Sequence, residues 1–313
     1  MQMLSSVFDL SIAVVSWNTK DLLTQCLEAV YATLHDVTFE VLVIDNASAD
    51  GSTRAVRERF PQVKLIENRV NLGFAYANNQ AIAVSQGRFI LLLNSDTIVQ
   101  PNALASMVSF MQSRPEAGIV GPLVLNVDGT PQRCYGAFPD IFSESIYAWG
   151  LDSRWPLSRW FGASSGFLTN GTETGWVLGA ALMIRREALE KVGFLDDSYF
   201  MYSEEIDLAY RVRKAGWRNF VLGCARIIHL GGQSTQQNRA LMKAELFRSK
   251  VRYFRKHHGA AAAGWMIMVF STSIWAKWLA YYLLGKSDVS KSWAETWSYL
   301  IHARQEATTA RAD

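Results

Sequence analysis

The sequence predicts an α/β fold with a mostly parallel central sheet flanked by helices and a C-terminal helical appendage. Short apolar runs alternate with amphipathic helical stretches from Leu10 to Gly121, and clusters of Asn, Asp, Ser and Gly punctuate them. Three of the apolar runs end on polar residues: Ser16-Trp17-Asn18, Asp45-Asn46 and Asn94-Ser95-Asp96. In an open α/β sheet the crevice beyond the strand carboxyl ends is where ligands bind, so these ends mark one candidate edge.

Leu10 to Val15 reads as the first strand. Asp21 to Ala32 reads as a helix with Leu22, Leu23, Cys26, Leu27 and Val30 on one face. A second strand, Glu40 to Ile44, runs into the turn-rich segment Asp45 to Ser52. A helix from Thr53 to Phe60, a strand from Val63 to Glu67 and a helix from Ala75 to Gln86 follow, with Gly87 placed to end that helix. The run Phe89 to Leu93 is too short for a typical helix and reads as a buried strand; a helix after Pro101 and a strand at Gly118 to Gly121 come next.

From Asn126 to Thr174 periodicity fails, as in a long functional loop. Regularity returns with one apolar strand from Trp176 to Ile184 and a short helix from Arg186 to Val192. Ser203 can cap a helix that begins Glu204-Glu205 and ends before Gly216, in which Asp207 can pair with Arg211 four residues on. A last strand from Phe220 to Ile228 ends on His229.

Half of the 313 residues are hydrophobic, enough for one large domain and an appendage. A net charge of +3 excludes a globally basic nucleic-acid binder. Cys26, Cys134 and Cys224 are few, odd in number and lack a CxxC spacing, which fits a reducing compartment. The segment Leu10 to Val15 is too short, and lacks a preceding basic region, for a signal peptide, so a cytoplasmic location is expected.

Neither a Gly-x-Gly-x-x-Gly turn after the first strand nor a Gly-x-x-x-x-Gly-Lys-Ser/Thr loop is present. A bound diphosphate would then be neutralised most simply by a divalent cation on carboxylate and imidazole, for which Asp96 and His229 are the candidates. The competing explanations are ordinary: Asp96 as a helix cap or loop residue, His229 as a hydrogen-bond donor to a loop carbonyl, and Glu204-Glu205 as first-turn acids facing the helix dipole.

Four ordered segments carry a resemblance: Val41 to Ser52, Asn71-Leu72-Gly73-Phe74-Ala75 with Asn78-Asn79, Leu92 to Asp96, and Glu204 to Leu208. They resemble the successive motifs of glycosyltransferase family 2, over about Leu10 to Gly259. The resemblance implies a GT-A fold, a nucleotide-diphospho-sugar donor, a divalent metal (Mn2+ or Mg2+) and inversion at the anomeric carbon. Within that family, Trp176 to Ala180, His229 to Ser234 and Tyr253 to Gly259 are most similar to bacterial rhamnosyltransferases of cell-surface polysaccharide assembly.

Carried over, the resemblance makes Asp45 a nucleotide-base contact and Ser16, Trp17 and Asn18 a wall of the nucleotide pocket. Asn71, Gly73 and Asn78 join the donor site with Asn94 and Ser95, Asp96 becomes the metal ligand, and His229 completes the metal site. Asn94 departs from the family pattern, which has a carboxylate there. Glu205 aligns with the catalytic base, where Asp is commoner, and Glu204 is the alternate. Trp176 and Gly179 fall on the acceptor side, where Trp149, Trp155, Trp160 and Phe161 would form either a sugar-stacking platform or a hydrophobic minicore. No Gln-x-x-Arg-Trp motif of the processive synthases occurs, which favours transfer of a single sugar. The donor expected is dTDP-L-rhamnose, with a UDP- or GDP-hexose as alternative. The rival classes are a nucleotidyltransferase and an inactive binding homologue. The acceptor is a glycan or a polyprenyl-diphosphate-linked glycan.

The catalytic domain is expected over 1–247 and the appendage over 248–313. Arg248, Lys250, Arg252, Arg255 and Lys256 precede Gly259 to Ala276, which lacks ionisable side chains. That pattern suits a helix on the inner leaflet of the membrane with its basic run toward anionic lipid, or else a helix packed on protein or on a second copy in a homo-oligomer.

Overall fold

The computed structural model describes residues 8–151, 170–231 and 239–302. Trp155, Trp160, Phe161 and residues 232–234 lie outside them. The chain packs as two compact units: Met1–Phe138 with Ser158–Phe200 and Glu204–Ser234, and Pro139–Leu157 with Met201–Ser203 and Thr235–Asp313. Part of the irregular stretch falls in the second unit.

The first unit is built on a sheet whose strands run in the order Lys64–Glu67, Phe39–Asp45, Phe8–Ser16, Gly87–Asn94, Ala181–Arg185, Ala117–Leu125, Arg218–His229 and Thr97–Val99. Its N-terminal half is β1 (Phe8–Ser16), β2 (Phe39–Asp45), β3 (Lys64–Glu67) and β4 (Gly87–Asn94), all parallel, with α1 (Lys20–Thr33), α2 (Ser52–Arg59) and α3 (Phe74–Val84) between them. Successive side chains of a strand face opposite sides. Leu10, Ile12 and Val14 accordingly pack with Leu23, Leu27 and Val30 of α1, while Ala13 packs with Leu42, Ile44 and the alanines of α3. Burial on both faces is why these strands read as continuous apolar runs.

The other half is mixed. β5 (Thr97–Val99), α4 (Ala103–Ser113) and β6 (Ala117–Leu125) lead to β7 (Tyr135–Gly136), and after α5 (Ile141–Ala148) of the second unit come β8 (Asn170–Thr174), β9 (Trp176–Val177) and β10 (Ala181–Arg185). α6 (Arg186–Val192), α7 (Glu204–Lys214) and β11 (Arg218–His229) complete the unit. β11 runs parallel to β6, whereas β10 runs antiparallel to both β4 and β6, and β5 and β8 run antiparallel to β11.

Three expectations about local structure are corrected. The apolar run Trp176 to Ile184 is two strands: β9 pairs with β7, Leu178 N then donates to Cys134 O (2.8 Å), and the chain turns before β10 joins the main sheet. Unbroken hydrophobicity hides such a turn. Gly87 does not end α3 but opens β4, where a Cβ would stand 2.4 Å from Ser11 N, so only glycine allows β4 to lie this close to β1.

α7 is held by Arg211, whose Nε donates to Asp207 Oδ2 (2.8 Å) and whose terminal nitrogens donate to the carbonyls of Val192, Gly193 and Phe194. Asp207 is fully buried, in the structural role expected of it. Ser203 has φ 66°, a left-handed geometry unlike the extended backbone of an N-cap.

In the second unit α5 starts with Asp140, whose carboxylate accepts from the backbone nitrogens of Phe142 and Ser143. α8 (Arg239–Leu283) is broken at Gly259 (φ 88°), and α9 (Ser287–His302) follows. Beyond the break Ala262, Ala263, Met266, Val269, Phe270 and Ile274 are buried, while Ala261, Trp265, Met268, Thr272, Trp275 and Tyr282 form an exposed stripe at helical spacing. The basic run does not point uniformly outward: Lys250 pairs with Glu144, and Arg248 pairs with Glu245 and Tyr299 O. Glu144 is buried, and Lys250 compensates its charge.

Candidate active site

Strand register builds the site's edge. Ser16 stands opposite Asp45, and Val15 opposite Asn94, so the ends of β1, β2 and β4 lie side by side where the chain passes from one flank of β1 to the other. Hydroxyls tie them together: Ser16 Oγ and Thr19 Oγ1 are 3.0 Å apart, and Thr19 Oγ1 and Ser95 Oγ 2.9 Å. Asn18, with φ 51°, donates its N–H to Ser48 Oγ (2.9 Å) and accepts from Ala49 N (2.8 Å), which joins the loops after β1 and β2. Trp17 beside it is half-buried.

Asp45 is 2% exposed. Its Oδ2 accepts from Ser48 N (2.9 Å), while Oδ1 has no hydrogen-bond partner among the described residues. A buried carboxylate oxygen without a donor is costly, and a ligand N–H would satisfy it. Behind it, Asn46 Nδ2 donates to Gly73 O (3.2 Å) and Asn71 Oδ1 accepts from Gly73 N (3.0 Å). Gly73 has φ 85°, and a Cβ there would meet Phe200 O at 2.5 Å, so glycine is required. Asn78 is turned into α3, its Nδ2 donating to Phe74 O (3.0 Å).

Across the edge, the turn Asn94-Ser95-Asp96 reverses the chain into β5, and the pairing of β5 with β11 sets His229 opposite Thr97. His229 Nε2 lies 3.3 Å from Asp96 Oδ1 and 3.5 Å from Asn94 Nδ2, and Leu230 N donates to Asp96 O (2.9 Å). His229 Nδ1 faces Gln132 Oε1 at 3.0 Å. Under the turn, Cys26 Sγ is 3.6 Å from Asn94 O, and burial pushes its thiol up to about 12, so it stays neutral.

Glu204 and Glu205 open α7 and are both buried. Burial first, and the neighbouring Glu205 charge second, hold the Glu204 carboxyl well above its ordinary range. Glu204 is therefore harder to ionise than an ordinary glutamate. A Cβ on Gly179 would stand 3.7 Å from Glu205 Cβ and 3.8 Å from Phe74, so Gly179 borders this carboxylate. Trp176 is 8% exposed, and its indole N–H donates to Ala137 O (2.8 Å). Its side chain is packed in the core. Trp149, in the second unit, is exposed.

The family profile described as Glycosyl transferase family 2 matches residues 11–193. The chain belongs to glycosyl transferase family 2. An N-acetylglucosaminyl-diphospho-decaprenol L-rhamnosyltransferase of Mycobacterium tuberculosis is 30% identical over 238 residues, 72% of this chain and 76% of that protein. Two solved structures share the fold. GalNAc-T7 with UDP, GalNAc and Mn2+ superposes with a TM-score of 0.56 at 16% identity, over 71% of this chain and 43% of that one. The mannosyltransferase PcManGT from Pyrobaculum calidifontis, in complex with GDP-Man and Mn2+, gives 0.52 at 18% identity, over 97% and 86%. The sheet and its flanking helices are thus those of a GT-A family 2 transferase.

The donor set at the β4 end suits a divalent cation. Asp96 and His229 aim a carboxylate oxygen and a ring nitrogen at the same point. Among the described residues no third His, Cys, Asp or Glu joins them. The sequence missed Gln132 and Thr19. Both are ordinary polar residues in turns, without a spacing that announces them, and only the pairing of distant strands shows what they touch.

Proposed function

We propose that this family 2 enzyme is an inverting rhamnosyltransferase that moves L-rhamnose from dTDP-L-rhamnose to a hydroxyl of a polyprenyl-diphosphate-linked glycan. The observation that carries the transfer reading is the Asp96–His229 pair, a cation-ready end of β4 on the edge that also holds the unsatisfied Asp45 oxygen. The choice of sugar and acceptor rests on the mycobacterial relative and on the motifs of the sequence.

Asp45 accepts an N–H of the nucleobase, and the Ser16–Asn18 and Asn71–Gly73 loops hold the nucleotide. Asp96 and His229 would hold a divalent cation, which when bound neutralises charge on the departing diphosphate. Glu205 removes the proton from the acceptor hydroxyl. The oxygen forms its bond to the anomeric carbon as the bond to diphosphate breaks on the opposite face, and the leaving oxygen takes the electron pair. One displacement inverts the configuration.

The second unit supports work at a lipid surface. The exposed stripe of α8 is apolar and aromatic, without a charge, and Arg255, Lys256 and Lys286 are exposed in the same unit. This suits a helix seated in an anionic leaflet through one face rather than a span, because its other face is buried in protein. The cytoplasmic face of the inner membrane is the location this implies.

The test is donor turnover across dTDP-rhamnose, UDP-hexoses and GDP-hexoses with Mn2+ or Mg2+. Selective turnover of dTDP-rhamnose supports the assignment; preference for a UDP- or GDP-hexose overturns the sugar while leaving the transferase.

A further inference from the structure

We propose that Gln132 is a positioning residue that locks His229 in its Nδ1–H tautomer and thereby keeps Nε2 open, toward Asp96, for a divalent cation. The inference rests on the metal reading of the Asp96–His229 pair.

The amide orientation of Gln132 is fixed by a partner that can only accept. Its Nε2 lies 2.7 Å from the backbone carbonyl oxygen of His229, and donates its second hydrogen to Asn126 Oδ1 at 2.9 Å. Asn126 is itself oriented, because its Nδ2 donates to Thr130 Oγ1 (2.9 Å). The group left facing His229 Nδ1, at 3.0 Å, is therefore Gln132 Oε1, an acceptor. Nδ1 must carry the hydrogen. Backbone pairing of Gln132 N with Val124 O (2.8 Å) anchors the residue at the end of β6, beside β11, so the amide reaches both the ring and the carbonyl of one histidine.

In the neutral ring a hydrogen on Nδ1 leaves a lone pair on Nε2. That lone pair faces Asp96 Oδ1 over 3.3 Å. Two acceptors facing each other repel, and a cation between them removes the repulsion. The other tautomer would place an N–H on Nε2, donate it to Asp96 and close the gap with a hydrogen bond that an incoming cation would have to displace. Gln132 withholds that alternative. Outer partners of this kind orient ligating histidines in metal sites generally. Asn94 agrees with the assignment, since its Nδ2, a donor, faces Nε2 at 3.5 Å.

The test uses the full chain with 15N-labelled histidine. Ring nitrogen spectra of the metal-free protein at mildly alkaline pH read the tautomer, and electron paramagnetic resonance of added Mn2+ reads affinity. Wild type should show the Nδ1–H form. Gln132→Leu should shift His229 toward Nε2–H and weaken Mn2+ binding roughly 10–100-fold. Gln132→Asn, which keeps an amide but withdraws it by one methylene, should do the same in a milder surrounding. Added to His229→Ala, Gln132→Leu should cost no more than about twofold, because its effect runs through the ring. A wild-type ring already in the Nε2–H form overturns the inference, as does an equal loss of affinity in the His229→Ala background. Mn2+ affinity unchanged by His229→Ala, with the tautomer as stated, overturns the metal reading itself and the inference with it.

Discussion

The backbone N–H of Asn94 donates to Ala180 O over 2.9 Å, and the residue before Ala180, Gly179, borders Glu205. Two consecutive residues thus join the turn that carries Asp96 to the helix that carries the proposed base. A Cβ on Gly179 would make only ordinary contacts, at 3.7–3.8 Å. Gly179→Ala should therefore fold with an unchanged melting temperature, whereas Gly179→Leu should displace Glu205 and lower kcat on the order of 100-fold, as misplacement by about 1 Å does elsewhere. Equal activity of the two variants would separate Gly179 from the site.

The Asp45 oxygen that lacks a donor predicts a nucleotide effect without a stability effect. Asp45→Asn can keep the contact to Ser48 N and changes what is offered to the base. Nucleoside diphosphate affinity, measured by calorimetry, should fall by about 1.5–3 kcal/mol, roughly 10–100-fold, with little change in melting. Unchanged affinity would leave Asp45 as a loop residue.

Glu204 gives a signed pH dependence. Its folded value is raised above the ordinary 4.5, so over the window that begins there and extends upward the native state holds a proton the unfolded chain has released. Stability then falls as pH rises through that window. Glu204→Gln removes the loss, and its melting temperature should gain on wild type progressively above pH 4.5. A pH-independent difference would contradict the assignment of the retained proton to Glu204.

For the second unit, sedimentation with phosphatidylglycerol-containing vesicles should retain wild type. Loss of the exposed aromatic face through Trp265→Ser, Trp275→Ser and Tyr282→Ser together should release the protein, since burial of each ring contributes about 1.5–3 kcal/mol. Retention of the triple variant, or concentration-dependent dimerisation that it abolishes, would assign the face to protein instead.

The parallel half of the sheet was legible because β1, β2 and β4 are apolar on both faces and each helix shows one buried stripe. The order of motifs made the family legible as well. The antiparallel β10, the turn at Leu178-Gly179-Ala180 and the three-residue β5 were not, because pairing partners far apart in sequence decide them and continuous hydrophobicity carries no direction. Helix α5 had a readable start in Asp140 with Ser143, yet lay within aromatic residues that masked its period. Asp96, His229 and Glu205 stand out in the sequence by type and position, and the structure brings Asp96 and His229 together. Gln132 does not stand out, since its role exists only once β6 and β11 are neighbours. The pairing of Lys250, within the basic run, with the buried Glu144 was not legible either, because charge alone does not say which cation meets which carboxylate.

The central claim is a two-sided site, with diphosphate and cation on Asp96 and proton removal on Glu205. It is tested most directly by measuring donor binding with Mn2+ and single-turnover transfer in parallel for Asp96→Asn and Glu205→Gln. The account predicts that Asp96→Asn loses donor and Mn2+ binding, while Glu205→Gln binds donor as wild type does and transfers about 100–10,000-fold more slowly. Near-wild-type transfer by Glu205→Gln, or donor binding unaffected in Asp96→Asn, would contradict it.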